Sequence, residues 1–246
     1  MYRFYVSADQ LAEKEVFISG GDVNHIKNVL RLEVGDWIVA CDGNGTDYVS
    51  RIQSICSDEV VASIEKVQPT GTELPVRITL FQGMPKKDKL ELIIQKAELG
   101  ACEIVPVMTK RTVVKLSEEK KINKRLERWQ SIAYAAAKQC DRGIIPTVHK
   151  PVSYEEALAM ADQLDYNVIP YELQTGMEEA RKIVDQACKQ RSLGIFIGPE
   201  GGFEPEEVER AMTRNIHPMT LGKRILRTET AGMALLSILM FQMQGE

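Results

Sequence analysis

The chain has 246 residues, of which 44% are hydrophobic and 27% are charged, enough for one large domain or two smaller ones. Its formal net charge of −4 argues against a protein that coats nucleic acid with a uniformly basic surface. Five scattered cysteines without a CxxC pair argue against zinc or a disulfide framework, and predict a cytoplasmic protein without metal. The N-terminus lacks a signal-peptide pattern, and the longest apolar stretch is shorter than the about 20 residues that a membrane span needs.

Residues 1–70 predict a domain rich in β-structure. Its short segments of β-branched and aromatic residues, separated by glycine and aspartate turns, are RFYV, WIVAC, DYVSRIQSI and EVVASIEKV. The segment GDVNHIKNVLR predicts an amphipathic helix whose apolar stripe comprises Val23, Ile26, Val29 and Leu30. A proline- and glycine-containing linker, QPTGTELP, follows.

Residues 75–246 predict alternating strands and helices. The predicted strands are VRITLFQGM, EIVPVMT, YNVIPYEL, SLGIFIG and HPMTLG. The predicted helices are KKDKLELIIQKAELG, EEKKINKRLERWQSIAYAAAKQC, MEEARKIVDQACK, EEVERAMTRN and TETAGMALLSILMFQMQ. This alternation indicates an α/β fold with a parallel sheet covered on both faces, in which ligands bind at the carboxyl ends of the strands.

A glycine loop in the motif IGPEGGFEPEE joins a strand to a helix. It lacks the lysine of a Walker loop, and the spacing of Gly198, Gly201 and Gly202 differs from that of a dinucleotide loop. Pro205 fits the first helical position, and two glutamates after it place negative charge where a phosphate would bind. The loop therefore suits a ligand with hydroxyls, amines or a positive centre; the alternative is a tight turn with glycines for steric reasons alone.

A second loop, in LGKRILRTETAG, also follows a strand. It alternates cations with apolar residues, and Thr228 is placed to cap the helix that follows. Two such loops can converge on one crevice, a combination that suits an adenosine-containing ligand beside an anionic polymer. The alternative is a solvated basic loop before a core helix.

The two motifs, in this order, resemble the signature motifs of the SPOUT-class methyltransferases. They are most similar to those of the RsmE family, which methylates N3 of a uridine in 16S ribosomal RNA. The segments HIKNVLR, KKDKLELIIQKAELG and AAAKQCDR extend the resemblance over the whole chain. The family commonly has glutamate before Gln139, where this chain has Lys138, which argues against an acid–base role there.

The resemblance implies a PUA-like β-barrel that binds RNA over residues 1–70, and a SPOUT α/β trefoil-knot domain with a parallel sheet over residues 75–246. It implies S-adenosylmethionine as cofactor, the 16S ribosomal RNA of the small ribosomal subunit as partner, and a homodimer. The last helix, apolar on nearly every face, independently predicts a dimer interface.

The resemblance also implies which residues bind the cofactor: the two loops and the end of the VIPYEL strand. They are Leu173, Ile197, Gly198, Pro199, Glu200, Gly201, Gly202, Leu221, Gly222, Ile225, Leu226 and Thr228. Glycines let the backbone approach the ligand, and a carboxylate is compatible with its sulfonium.

Arg227 is the predicted catalytic residue. Uracil N3 carries a proton at neutral pH, and a cation near the ring oxygens would stabilise the anion that forms when it is lost. The alternative for Arg227 is a clamp on an RNA phosphate. Neither loop contains a histidine, so no general base is assigned.

RNA contacts must come from local patches because the net charge is negative. The predicted RNA-binding residues are Arg3, Arg31, Lys86, Lys87, Lys89, Lys138, Gln139, Arg142 and Arg224, with the group at 138–142 expected near the active crevice. The densest basic run, TKRTVVKLSEEKKINKRLER, is typical of a solvated helix face.

Two other functions stay open. One is a SPOUT methyltransferase for tRNA or for a ribose hydroxyl, which the N-terminal β-domain and the RILRTETA motif disfavour. The other is a non-catalytic ribosome-assembly factor, which the intact glycines and arginines of both loops disfavour. The target nucleotide and the assembly state of the RNA substrate are not determined by the sequence.

Overall fold

The computed structural model describes residues 1–114 and 119–244. The chain forms two compact units. The first comprises Met1–Glu73 and Ala137–Ile145, and the second comprises Leu74–Ala136 and Pro146–Glu246. The sequence prediction of a single division between residues 70 and 75 does not include the return of residues 137–145 to the first unit.

Glu73 anchors this returning segment. Its Oε1 accepts hydrogen bonds from the backbone N–H groups of Gly143 at 2.8 Å and Ile144 at 3.1 Å, and its Oε2 accepts one from Arg142 at 2.7 Å. Arg142 is only 3% exposed. The prediction that Arg142 contacts RNA is therefore wrong for this structure, because the side chain is buried in a structural ion pair.

The first unit contains one five-stranded sheet. Its strands are β1 (Tyr2–Tyr5), β2 (Glu15–Ser19), β3 (Trp37–Cys41), β4 (Thr46–Ile55) and β5 (Glu59–Pro69). The strand order is β1-β3-β4-β5-β2, with β1 and β3 parallel and the other pairs antiparallel. The sequence pattern did not predict β2. Alternate residues of the strands, including Phe4, Ile18 and Ile38, form the core of this unit.

The predicted amphipathic helix of this unit is shorter and less regular than its sequence pattern indicates. It consists of α1 (Gly21–Asn24) and a π-helical turn (His25–Val29), in which the N–H of Leu30 donates to the carbonyl of His25 at 2.9 Å. A π-turn accommodates one more residue than an α-turn, which breaks the 3.6-residue spacing. Val29 is consequently 63% exposed, so its predicted place on the apolar stripe is wrong.

The second unit contains a seven-stranded parallel sheet. Its strands are β6 (Arg77–Gly83), β7 (Ala101–Met108), β8 (Thr147–Val148), β9 (Val152–Ser153), β10 (Tyr166–Pro170), β11 (Ser192–Ile197) and β12 (Ile216–Met219). The order is β12-β10-β11-β6-β7-β8, and β9 also pairs with β7. Every pairing is parallel, as predicted.

Helices cover both faces of this sheet. They are α2 (Lys89–Gln95), α3 (Glu119–Gln139), α4 (Tyr154–Ala161), α5 (Met177–Ala187), α6 (Pro205–Thr213) and α7 (Thr228–Met243). Leu80 and Ile195 pack in one core with α2, α3, α5 and α7. Phe81 and Phe196 point to the opposite face and pack with α4 and α6. The predicted α/β fold is confirmed.

Local signals account for most helix ends. Pro205 occupies the first position of α6, as predicted, and Gly100 has a φ of 111° after the 3₁₀ turn (Lys96–Leu99) that extends α2. Helix α4 was not predicted, although its sequence carries a recognisable start signal. Ser153 and Glu156 form a capping box, with the Ser153 N–H donating to the Glu156 carboxylate at 2.7 Å. The predicted helix EEKKINKRLERWQSIAYAAAKQC corresponds to α3, and its first residue, at position 118, lies outside the described residues.

Candidate functional site

A cavity of about 450 Å³ opens at the carboxyl ends of β10 and β11 in the second unit. This is the edge at which parallel α/β sheets bind ligands. The end of β10, the glycine loop (residues 198–204), the basic loop (residues 221–227) and the starts of α2 and α7 provide its walls. The lining residues are Lys89, Pro170, Glu172, Ile197, Gly198, Pro199, Glu200, Gly201, Gly202, Phe203, Ile225, Leu226, Arg227, Thr228 and Ala231.

A smaller cavity of about 90 Å³ adjoins the first and shares several of its lining residues, among them Glu172, Ile225 and Leu226. Leu221, Gly222 and Arg224 of the basic loop complete its wall. The glycine loop and the basic loop therefore converge, as predicted, and they surround two adjoining cavities that are both lined by Glu172.

Leu173 differs from the other predicted cofactor-binding residues. Its side chain is 70% exposed and it is not among the residues that line either cavity. The preceding residue, Glu172, lines both. The lining residues Pro170, Glu172, Phe203 and Ala231 were not predicted from the sequence, and Lys89 was predicted to bind RNA. The position of Pro170 and Glu172 at the end of a parallel strand was the available signal.

Gly83, the last residue of β6, permits close packing beneath the glycine loop. A Cβ at this position would lie 2.5 Å from both the ring Cδ and the backbone nitrogen of Pro199. No real Cβ tolerates such a distance, so any side chain at position 83 would displace the loop. Gly83 lies outside both signature motifs.

The glycines of the loop itself also permit close packing against neighbouring protein atoms. A Cβ on Gly201 would meet the Cβ of Arg111 at 3.2 Å, and one on Gly198 would meet Gly202 at 3.1 Å. Gly202 has a φ of 69°, and a Cβ there would lie 3.1 Å from a carboxylate oxygen of Glu172. All three glycines line the cavity, so their predicted contact with the cofactor stays a prediction.

The carboxylates at the acidic end of the glycine loop are paired with other residues of the chain. Arg111 binds the Glu204 carboxylate with two hydrogen bonds, at 2.8 and 3.0 Å, and Lys110 pairs with Glu206. Glu207 is 2% exposed and accepts a hydrogen bond at 2.9 Å from the N–H of Glu204, which starts α6. These three carboxylates therefore do not face the cavity, whose lining carboxylates are those of Glu172 and Glu200.

Lys89 joins two carboxylates at the cavity wall. Its Nζ lies 3.2 Å from an oxygen of Glu200 and 3.2 Å from an oxygen of Glu229. Burial lowers the pKa of the Lys89 ammonium, but the contacts with these carboxylates outweigh that effect and leave the pKa raised. Burial likewise raises the pKa of Glu200, while hydrogen bonds from backbone amides, including that of Lys86, bring it below its ordinary value. Both groups are held in their charged forms.

Thr228 ties the start of α7 to the glycine loop. The N-cap of α7 is Arg227, not Thr228 as predicted, and Thr228 is the first helical residue. Its hydroxyl instead donates to the carbonyl of Gly198 at 2.6 Å and accepts from the amide of Gln82 at 2.8 Å. Thr228 is 6% exposed; its bond from Gln82 is buried and its bond to Gly198 is partly buried.

Arg227 lines the larger cavity with an exposed side chain. Its guanidinium makes no ion pair with any residue in 1–114 or 119–244. It is therefore available to a negatively charged group in the cavity.

The residues predicted to bind RNA fall into two groups. Arg3 is paired with Asp47 through hydrogen bonds at 2.5 and 3.0 Å, and Lys138 is paired with Asp22 at 2.7 Å. The exposed residues are Arg31, Lys86, Lys87, Gln139 and Arg224. Residues 138–142 belong to the first unit and the cavity to the second, so their expected proximity stays a prediction.

Within the described residues, no helix combines the length and apolarity of a membrane span. In the same part of the chain, no group of three or more His, Cys, Asp or Glu side chains is arranged to hold a metal ion.

Comparisons with known proteins identify the class of both units. Residues 72–240 match the family described as RNA methyltransferase domain, and residues 18–65 match the family described as RNA methyltransferase PUA domain. The chain thus contains an RNA methyltransferase domain and a PUA domain.

Relatives similar over the full length define the family. The ribosomal RNA small subunit methyltransferase E of Bacillus subtilis is 38% identical over 98% of this chain and 97% of its own, and that of Mesomycoplasma hyopneumoniae is 32% identical over 96% and 98%. The crystal structure of the Neisseria gonorrhoeae enzyme bound to S-adenosylmethionine has a TM-score of 0.78 at 31% identity, with 98% of both chains covered. The chain belongs to the ribosomal RNA small subunit methyltransferase E family.

Proposed function

We propose that this protein transfers a methyl group from S-adenosylmethionine to N3 of a uridine in the 16S ribosomal RNA of the small subunit. We further propose that it does so in the cytoplasm and as a homodimer. The observation that carries the proposal is the convergence of the glycine loop and the basic loop on one cavity, with Arg227 at its wall and without an ion pair to any residue in 1–114 or 119–244. A similar protein from Neisseria gonorrhoeae is bound to this cofactor.

The chemistry of the cavity fits the cofactor. Its volume of about 450 Å³ lies in the usual range for small-molecule sites. Ile197, Ile225 and Leu226 provide apolar surface for an adenine, and the carboxylates of Glu172 and Glu200 suit hydroxyls, an amine or a positive centre. When bound, S-adenosylmethionine supplies a methyl group activated by its sulfonium.

Arg227 is the proposed catalytic residue. Uracil N3 has to lose its proton before it can act as a nucleophile, and the negative charge then spreads onto the two carbonyl oxygens attached to the ring. A guanidinium fixed beside those oxygens favours the anion without having to be reoriented during the reaction. Arg227 is the N-cap of α7, so its backbone is held by that helix and by the hydrogen bonds of the adjacent Thr228.

RNA binding is assigned to exposed cations. Arg224 lines the smaller cavity, and Lys86 and Lys87 are exposed in the segment before α2. Arg31 contributes a cation from the PUA domain. Each phosphate contact releases about one counterion on binding. Substitution of one of these residues should therefore reduce the slope of log K against log salt concentration by about one.

The test uses small subunits and naked 16S RNA from a strain that lacks the protein. Purified protein and S-adenosylmethionine should add one methyl group to one uridine, located by mass spectrometry of nuclease fragments. Transfer RNA is the comparison substrate. Methylation of transfer RNA or of a ribose hydroxyl would replace the proposal with another SPOUT activity. RNA binding without any methylation would support the non-catalytic assembly factor.

A further inference from the structure

We propose that Arg111, which does not line the cavity, is a positioning residue that determines the affinity for S-adenosylmethionine by holding the glycine loop in its binding conformation. The proposal rests on the proposed function of the cavity. It concerns a segment, the turn Thr109–Thr112 after β7, that belongs to neither signature motif.

The Arg111 guanidinium uses three nitrogens to bind the loop. Nε and Nη2 donate to the two carboxylate oxygens of Glu204 at 2.8 and 3.0 Å, and Nη1 donates to the carbonyl of Gly201 at 2.6 Å. Only the planar fork of arginine can satisfy a carboxylate with two parallel bonds and reach a third acceptor, because lysine has a single point charge.

The aliphatic part of Arg111 also packs on the loop. A Cβ on Gly201 would lie 3.2 Å from the Cβ and 3.3 Å from the Cδ of Arg111, so the side chain runs directly along the loop backbone at Gly201. Gly201 lines the cavity on its other side. The loop is therefore one layer thick at this point, with Arg111 behind it and the ligand space in front.

The turn that carries Arg111 is itself fixed. The backbone N–H of Thr109 donates to the hydroxyl of Thr112 at 3.0 Å, and the N–H of Lys110 donates to the Glu207 carboxylate at 2.9 Å. Glu207 lies in the first turn of α6 and is buried. Arg111 consequently extends from a support that is anchored to the same helix that ends the loop.

The expected consequence follows from preorganisation. Without the three hydrogen bonds, residues 198–204 would sample other conformations, and cofactor binding would have to select the competent one. The dissociation constant for the cofactor then rises, whereas the rate at saturating cofactor and RNA changes little, because Arg111 touches neither the cavity nor the reacting atoms.

The experiment measures binding of S-adenosylmethionine to the full chain by titration calorimetry. Arg111→Ala should raise Kd by about 10-fold or more, the scale of lost charge-assisted hydrogen bonds. Arg111→Lys should give an intermediate Kd, since it keeps the charge but not the fork. Lys110→Ala is the matched control: it removes a neighbouring cation paired with Glu206 and should leave Kd unchanged.

Separate outcomes identify separate errors. Wild-type Kd in a folded Arg111→Ala variant, or equal weakening in Lys110→Ala, would overturn the role of Arg111. If Arg111→Ala fails to fold, Glu204→Gln removes the charge of the partner with little change of shape and should raise Kd in the same direction. Absence of binding by the wild-type protein would instead overturn the proposed function.

Discussion

At the scale of single residues, the shape of the cavity depends on positions that no motif contains. Gly83 packs against Pro199, and Arg111 packs against Gly201 and donates a hydrogen bond to its carbonyl. Both contacts join segments that are far apart in the sequence. The glycine loop therefore derives its conformation from neighbouring strands and turns as much as from its own glycines.

Gly83→Ala should displace the glycine loop, because the added Cβ would be 2.5 Å from backbone and ring atoms of Pro199. Overpacking of this kind costs roughly 1–3 kcal/mol in the free energy of unfolding, and cofactor affinity should fall as well. Urea denaturation and titration calorimetry measure the two effects. Gly232→Ala is the control, since its Cβ would meet Ile197 at an ordinary 3.7 Å. Equal stability and affinity in both variants would contradict the packing argument.

Arg227→Ala should lower the single-turnover rate at saturating RNA by about 10²–10³ and leave the Kd for S-adenosylmethionine nearly unchanged. Arg227→Lys should restore a phosphate clamp better than an oriented donor, because lysine lacks the planar fork. Lys223→Ala is the control, because it removes an exposed cation of the same loop that does not line either cavity. A wild-type rate for Arg227→Ala at saturation would move Arg227 to the RNA-binding residues.

At the scale of elements, the start of α7 connects the two signature loops. Arg227 closes the basic loop as N-cap, and the next residue, Thr228, hydrogen-bonds to Gly198 at the start of the glycine loop. Gln82, at the end of β6, donates to the same hydroxyl. Because Arg227 and Thr228 are adjacent in the chain, the hydrogen bond of Thr228 to Gly198 also fixes the backbone of the proposed catalytic residue relative to the glycine loop.

Thr228→Val should destabilise the protein by about 1–3 kcal/mol, because at nearly unchanged volume it removes the hydroxyl that donates to the part-buried carbonyl of Gly198 and accepts from the buried amide of Gln82. Cofactor affinity should weaken in parallel, since the loop loses its link to α7. Thr228→Ser retains the hydroxyl and serves as control. Urea unfolding midpoints compare the three proteins; a Thr228→Val midpoint equal to that of the wild type would show that the hydroxyl does not stabilise this junction.

At the scale of the whole molecule, α7 leaves apolar surface uncovered. Ile238 is 47% exposed and Phe241 is 82% exposed. A cavity of about 370 Å³ lined by Met177, Val184 and Ile238, among others, lies between α5 and α7. Apolar surface of this kind on a chain end favours association with a second copy.

Sedimentation equilibrium at micromolar concentration should give twice the chain mass of 27.6 kDa. Phe241→Glu should shift the protein to monomer, because it places a charge in the proposed interface. Met212→Glu, at an exposed position on α6, is the matched control and should stay dimeric. A wild-type monomer, or dissociation by both substitutions alike, would refute an interface through α7.

Much of the fold and the main part of the site could be predicted from the sequence. Hydrophobic periodicity identified every strand of the parallel sheet longer than two residues, and the carboxyl ends of such strands share one edge. The two signature motifs follow β11 and β12, so their convergence on one cavity follows from the topology. Local chemistry likewise placed Pro205 at the start of α6.

Tertiary structure alone decided which partner each charged residue has. Arg142 pairs with Glu73 in the interior instead of reaching RNA, and Arg111 with Glu204 across 93 positions of sequence. It also decided that Glu172 rather than Leu173 lines the cavity. Periodicity and motifs report on neighbours within a few residues along the chain. Ion pairing, burial and the direction of a side chain at a strand end depend on segments brought together only by folding, which is why the sequence by itself determined the framework of the site but not its supporting contacts.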